Sequence, residues 1–136
     1  MRKKVFGKKL GRGRGARTAL FRSLIISFVV NGKLKTTKSK IKAVQPEIDK
    51  LMKLVRKNDL SSRRLALARL GNDGDAIDKL FSDYKEHASA RNSGFTRMKI
   101  LGKRQGDNTD MALLEWVIPP EKKVEKKAVK KIKNKA

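Results

Sequence analysis

Apolar residues recur at three- and four-residue steps through the first two thirds of the chain, then switch to every second position. Ala16, Leu20, Leu24 and Phe28 lie four apart, flanked by Phe21, Ile25 and Val29, a pattern that predicts a helix with a wide apolar face. Asn31-Gly32 supplies the left-handed residue that closes it. Lys33 to Thr37 reads as a short strand, with Thr36 or Thr37 placed to cap the next helix. That second helix is marked by Ile41, Val44, Ile48, Leu51, Met52 and Val55 and runs through Arg56. Pro46 lies inside it; because proline lacks an N–H and clashes with the preceding turn, a kink near Lys42 to Gln45, or two abutting helices, is expected. Asp59 opens a third helix through Leu60, Leu65, Ala66, Leu67 and Leu70, stopped at Gly71. Asp73 or Asp75 caps a fourth through Ile77, Leu80, Phe81 and Tyr84.

After Gly94 the period becomes two. Thr96, Met98 and Ile100 alternate with Arg97 and Lys99, a polar segment from Gly102 to Asp110 follows, and Met111 to Ile118 places Ala112, Leu114, Trp116 and Ile118 on one face. Two strands joined by a basic loop are predicted, ending at Pro119-Pro120. Helices followed by strands define an α+β class. The chain divides into a basic arm (1–15) with little to bury, one globular domain (16–120) and a Lys-rich tail (121–136) whose Val124, Ala128 and Ile132 alone keep helical spacing.

Charge changes this picture most. Lys and Arg number 36 against 13 acids, a net charge of +23, and no acid precedes Glu47. A one-sign block of that density repels itself unless a polyanion neutralises it, and nucleic acid offers the matching charge density. The cations fall into sets: Arg2, Lys3, Lys4, Lys8, Lys9, Arg12 and Arg14 on the arm; Arg17 and Arg22 on the first helix; Lys35 and Lys40 flanking the candidate hydroxyl ligands Thr36 and Thr37. Arg63, Arg64 and Arg69 follow on the third helix, then Arg91, Thr96 and Arg97 around the first strand of the terminal pair, and Lys103 and Arg104 in the loop. Phe95 has two readings of equal weight, a ring stacked on a base or a core residue at a strand start. Aromatic residues make up only 5% of the chain, so phosphate contacts and shape are expected to outweigh base stacking.

Catalytic chemistry finds little material. His87 is the one histidine and there is no cysteine, which removes the commonest general base, thiol nucleophiles, disulfides and most zinc sites. Absence of cysteine also fits an intracellular location. Asp73, Asp75 and Asp78 are better read as favouring a helix N-terminus than as a metal cluster. Gly11-Arg12-Gly13-Arg14-Gly15-Ala16 matches a relaxed dinucleotide fingerprint, but no apolar strand precedes it and no acid follows at the ribose distance. Those glycines instead let the backbone approach a nucleic-acid surface closely. The apolar run Leu24 to Val30 is too short for a bilayer span, and no cleavage site of a secretory signal follows it.

One ordered series of motifs is more specific than any of its parts. Arg2, Gly7, Leu10 and Arg12, then Arg17, Phe21-Arg22, Lys35-Thr36-Thr37 with Lys40, Arg63-Arg64-Leu65-Ala66, Lys79-Leu80-Phe81, Gly94-Phe95-Thr96-Arg97 and Arg104-Gln105-Gly106-Asp107-Asn108 with Met111-Ala112 stand in register from Met1 to about Pro119. The series resembles the family of the seventeenth protein of the bacterial large ribosomal subunit. Departures are Ala16 where the family commonly has His, Ser93 where it has Gly, Phe95 where it has Tyr, and Pro46 in a helix often uninterrupted there.

The resemblance implies a structural ribosomal protein, not an enzyme, that binds large-subunit ribosomal RNA on the solvent side near the tunnel exit. It implies no cofactor or metal, neighbouring large-subunit proteins as further partners, no membrane, one copy per ribosome without obligate self-association, and a cytoplasmic location. It also implies two layers in the order helix, strand, three helices, two strands, with a small three-stranded mixed sheet whose last strand is central. The rivals are an architectural DNA-binding protein of the nucleoid, an RNA-processing enzyme using Asp73, Asp75 or Asp107 with a divalent ion, and a binder of anionic membranes.

Overall fold

A computed structural model describes residues 8–119. A turn at Leu10-Gly11, both with positive φ, leads into helix α1 (Arg14–Asn31), which is followed by strand β1 (Lys33–Thr37) and helix α2 (Lys38–Lys57). Helices α3 (Leu60–Leu70), α4 (Gly74–Asp83) and α5 (Lys85–Ala90) come next, then strands β2 (Thr96–Lys103) and β3 (Asp110–Trp116). The α+β class and the placing of β1 follow the hydrophobic pattern. Where three helices were expected between β1 and β2, four form, because Tyr84 leaves helical geometry (φ −109°, ψ 6°) and splits off α5. Helix α1 also starts earlier than Ala16, taking Arg14 and Gly15 from the stretch expected as an arm; the Thr18 hydroxyl donates to the Arg14 carbonyl at 3.0 Å in that first turn. Residues 1–7 of the arm and 120–136 of the tail lie outside the described residues.

The strand order is β1-β3-β2, with the last strand central, and both pairings are antiparallel. A mixed sheet is therefore not what forms. The short connection 104–109 can join β2 to β3 only as a hairpin. Strand β1 sets Lys33 opposite Glu115 and Thr37 opposite Met111, a register that buries Leu34 beside Leu114. Helix α2 begins at the residue after β1 ends, so the direction of β1 is tied to the side on which Ile41 and Val44 are buried.

Pro46 does not divide α2, which runs unbroken over 20 residues. Proline leaves the Lys42 carbonyl without its usual i+4 donor, but Ile41 and Val44 before it and Ile48, Leu51, Met52 and Val55 after it are all buried on one face. Burial along that whole stripe outweighs one lost hydrogen bond.

The helices cover one face of the sheet, and the core lies between the two layers. Trp116 of β3 is its centre: the Phe28 ring stacks on it at 4.5 Å and the Tyr84 ring lies 4.4 Å away. These contacts join α1, the α4–α5 corner and β3. The Tyr84 hydroxyl donates to the Val29 carbonyl at 3.3 Å, and burial pushes its pKa up to about 12. Some apolar positions of the sequence pattern stay outside: Leu60 and Leu65 of α3, Ile100 of β2, and Ile118 beyond β3 are exposed, while α3 buries Ser62, Ala66 and Leu70.

Candidate nucleic-acid interface

Because side chains alternate along strands, the uncovered face of the sheet collects residues far apart in sequence. Lys33, Glu115 and Arg97 form one cross-strand row, and Lys35, Leu113 and Lys99 form the next. Four cations thus surround one carboxylate. Glu115 accepts from Lys99 at 2.9 Å and Arg97 at 3.3 Å, and the Lys99 bond above all holds its pKa below the usual carboxylate range. Lys33 and Lys35 form no ion pair among the described residues. Of this face, sequence reasoning named Lys35 and Arg97 but passed over Lys33 and Lys99. The signal was present: each lies two residues from a named cation in the same strand, hence on the same face.

Beside this face, β1 passes directly into α2. Thr37 occupies the N-cap position with extended backbone, yet its hydroxyl makes no capping bond, and no acid stands in the first turn. Thr37 is still paired with Met111 in the sheet, so its orientation follows the strand register and not the needs of the helix. The expected cap at Thr36 or Thr37 is therefore absent, and the helix N-terminus is flanked by Lys35, Lys38 and half-buried Lys40. Lys38 faces Asp110 at 3.7 Å.

Helix α1 has no acid anywhere and no side-chain cap at Gly13, leaving Arg14 and Arg17 in its first turn beside Arg12 and exposed Lys8 and Lys9. Arg12 donates to the Leu10 carbonyl at 2.8 Å, which fixes the turn before the helix. Arg2, Lys3 and Lys4 lie outside the described residues.

Several expected ligands have other engagements. The Arg22 guanidinium donates to the carbonyls of Arg69 at 3.1 Å and Ala68 at 3.2 Å, at the C-terminal end of α3. Arg63 pairs with Asp78 at 2.5 Å and lies over the Phe81 ring, 5.5 Å from its centroid. Arg104 is held by Asp107 within the hairpin loop, which raises the guanidinium pKa and puts that of Asp107 well below the carboxylate range. Phe95 is only 4% exposed and belongs to the core, where its N–H donates to Asp49 and its carbonyl accepts from Val117. A base cannot stack on it, because the ring is already covered by protein. Half-buried Thr96 lies opposite Trp116, on the side of the helices. Arg64, Arg69, Arg91 and Lys103 are exposed. Two acids of the α4 region have separate roles: Asp73 accepts from the Ala76 N–H at 3.0 Å as a helix cap, and Asp78 answers Arg63.

Arginine-bearing helices, an uncapped helix start and a cationic sheet face offer many donors for phosphate oxygens. Among the described residues no helix is long and apolar enough to cross a membrane. The profile of the family "Ribosomal protein L17" matches residues 20–117. "Large ribosomal subunit protein bL17" of Chloroflexus aurantiacus is 41% identical over 117 residues, covering 86% of this chain and all of that protein. The protein of the same name from Persephonella marina is 41% identical over 123 residues, 90% of this chain and 99% of its own length. That from Shouchella clausii is 37% identical over 116 residues, 80% of this chain and 97% of its own. A match spanning the domain from α1 to the end of β3 shows that this chain belongs to the ribosomal protein L17 family, whose members are structural components of the ribosome and not enzymes.

Proposed function

We propose that this protein is a structural constituent of the large ribosomal subunit, binding large-subunit ribosomal RNA through phosphate and shape contacts and stabilising its fold near the tunnel exit on the solvent side. The observation that carries the RNA contact is the charge distribution on the folded domain: an acid-free α1, an acid-free α3 and a sheet face bearing Lys33, Lys35, Arg97 and Lys99 around Glu115 alone. Position near the exit rests on the family resemblance. The mechanism is coupled ordering. The domain supplies a rigid base, and the arm threads between RNA helices as its cations displace condensed counterions. Arg14, Arg17, Arg64, Arg69, Arg91 and Lys103 present exposed or half-exposed charges to phosphates, whereas Arg22, Arg63 and Arg104 shape the surface that carries them. Neighbouring large-subunit proteins complete the setting, with one copy per ribosome and a cytoplasmic location.

Sedimentation of native particles through a sucrose gradient after a high-salt wash tests this. Retention on the large subunit is the expected result; release into the soluble or nucleoid fraction would leave a generic polyanion binder. Truncation of residues 1–14 should weaken binding to large-subunit RNA and make log affinity fall less steeply with log salt, by roughly 0.7–0.9 per lost phosphate contact. An unchanged slope removes the arm from the interface.

A further inference from the structure

A groove of about 430 Å³ opens between α1, α2 and α3, lined by Phe21, Ile25, Leu51 and Leu65, with Arg22 and Arg69 at its rim. Leu65 is 55% exposed on its wall, although helical spacing predicts it in the core. The two helices that form the walls contain no acid; the one carboxylate on the groove is Glu47 of α2, which also bonds Lys50 at 2.7 Å. Thus an apolar surface and a strongly cationic rim share one site, whose volume is within the range of small-ligand pockets.

Building on the RNA-binding reading above, we propose that this groove holds one unstacked nucleotide of the ribosomal RNA. The base lies flat against Phe21, Ile25 and Leu65, and its phosphate meets Arg69. A nucleotide carries a flat apolar face and an anion in a single unit, which matches both parts of the groove; a protein segment would have to bring an apolar side chain and an acid separately. Glu47 is an acceptor at the groove's edge, so it suits a base presenting an amino group, as adenine, cytosine and guanine do and uracil does not. Arg22 stays tied to the carbonyls of Ala68 and Arg69 and positions the wall without needing to touch the base.

Short-wavelength ultraviolet cross-linking of the full chain to an unmodified large-subunit RNA transcript, which can capture any of the four bases, tests the assignment. Trypsin isolates Thr18–Arg22 and Leu65–Arg69, each carrying groove residues. Cross-linked nucleotide on either fragment is expected. In Leu65→Glu, at a site exposed enough to leave the fold intact by circular dichroism, that signal should drop roughly tenfold, the loss expected from removing one apolar contact of that size beside a new like charge to the phosphate. Cross-links elsewhere on the chain should persist. A chain that binds the transcript with both fragments unmodified overturns the groove assignment alone. So does a chemical cross-link from the groove to a neighbouring protein in native subunits, which would identify a protein occupant. Failure to bind the transcript at all overturns the functional reading and this inference together.

Discussion

Arg22 of α1 closes the C-terminal end of α3 by donating from Nε to the carbonyl of Arg69 at 3.1 Å, while a second guanidinium nitrogen reaches Ala68. The last carbonyls of a helix lack intrahelical donors, and here the Asn72 N–H, which would serve Ala68, donates instead to Leu67 at 2.9 Å. Arg22→Ala should therefore destabilise the domain by about 1.5–2 kcal/mol, in the lower part of the range for charge-assisted hydrogen bonds. Arg22→Lys should recover only part, since one ammonium cannot reproduce the planar fork. Urea unfolding of the three chains checks this; equal midpoints would show that the contact is inconsequential.

Pro46 occupies an exposed position in an unbroken helix whose packing tolerates it. Pro46→Ala restores an N–H for the Lys42 carbonyl. Stability should rise by about 1–3 kcal/mol, reduced from the full helix-interior cost because proline also restricts the unfolded chain. A lower melting temperature in the alanine variant would mean that the ring itself contributes packing.

Phe95→Ala distinguishes a core role from a base-stacking role. Removal of a ring that is 4% exposed should cost about 3–5 kcal/mol in unfolding experiments. RNA affinity, measured where the variant remains folded, should change little. Weaker binding at unchanged stability would restore the stacking role.

Tyr84 carries a sign that runs toward alkaline pH. Its folded pKa, raised to about 12 chiefly by burial, lies above the unfolded value near 10. The stabilisation from keeping the phenol neutral is thus fully present below about pH 10 and is lost as pH rises toward 12. Phenolate absorbance of the native protein should stay absent at pH 10.5, and Tyr84→Phe should remove this alkaline limb of the stability profile.

The carboxylates behave in the opposite sense. Asp107, bonded by Arg104 and by the Thr109 N–H, and Glu115, bonded by Lys99 and Arg97, both have folded pKa values below normal. Their stabilisation is present above the ordinary carboxylate range near pH 4 and is lost as pH falls through the folded values. Carboxyl NMR titration should show both groups protonating late, and Asp107→Asn should flatten the decline in melting temperature at acid pH. Superimposed profiles for the two chains would remove the Arg104 clasp from hairpin stability.

Period and punctuation make most elements legible in the chain itself. The step-four run from Ala16 to Phe28, Gly32 and Gly71 as helix stops, Asp73 as a cap and the alternation around Ala112 and Leu114 are all local features whose physics acts within a few residues. The split at Tyr84 is not legible there, because the Tyr84 ring turns toward Trp116, which lies on a strand far along the chain. Nor is the continuity of α2, since a proline is disfavoured locally and the apolar stripe that overrides it is anchored against other elements.

Sequence by itself determined the α+β class, the excess of positive charge and the family, because composition, spacing and an ordered series of motifs do not depend on contacts between distant residues. Only the tertiary structure decided which cations are already engaged by protein partners. Arg22 and Arg63 are as basic in the sequence as Arg64 and Arg69, yet the first two answer a helix end and Asp78. Likewise Lys33 and Lys99 became part of one surface only when antiparallel pairing across β3 brought β1 and β2 to the same sheet. The physical reason is that hydrogen-bond partners and strand neighbours are fixed by three-dimensional distance, while charge and periodicity are already properties of the chain.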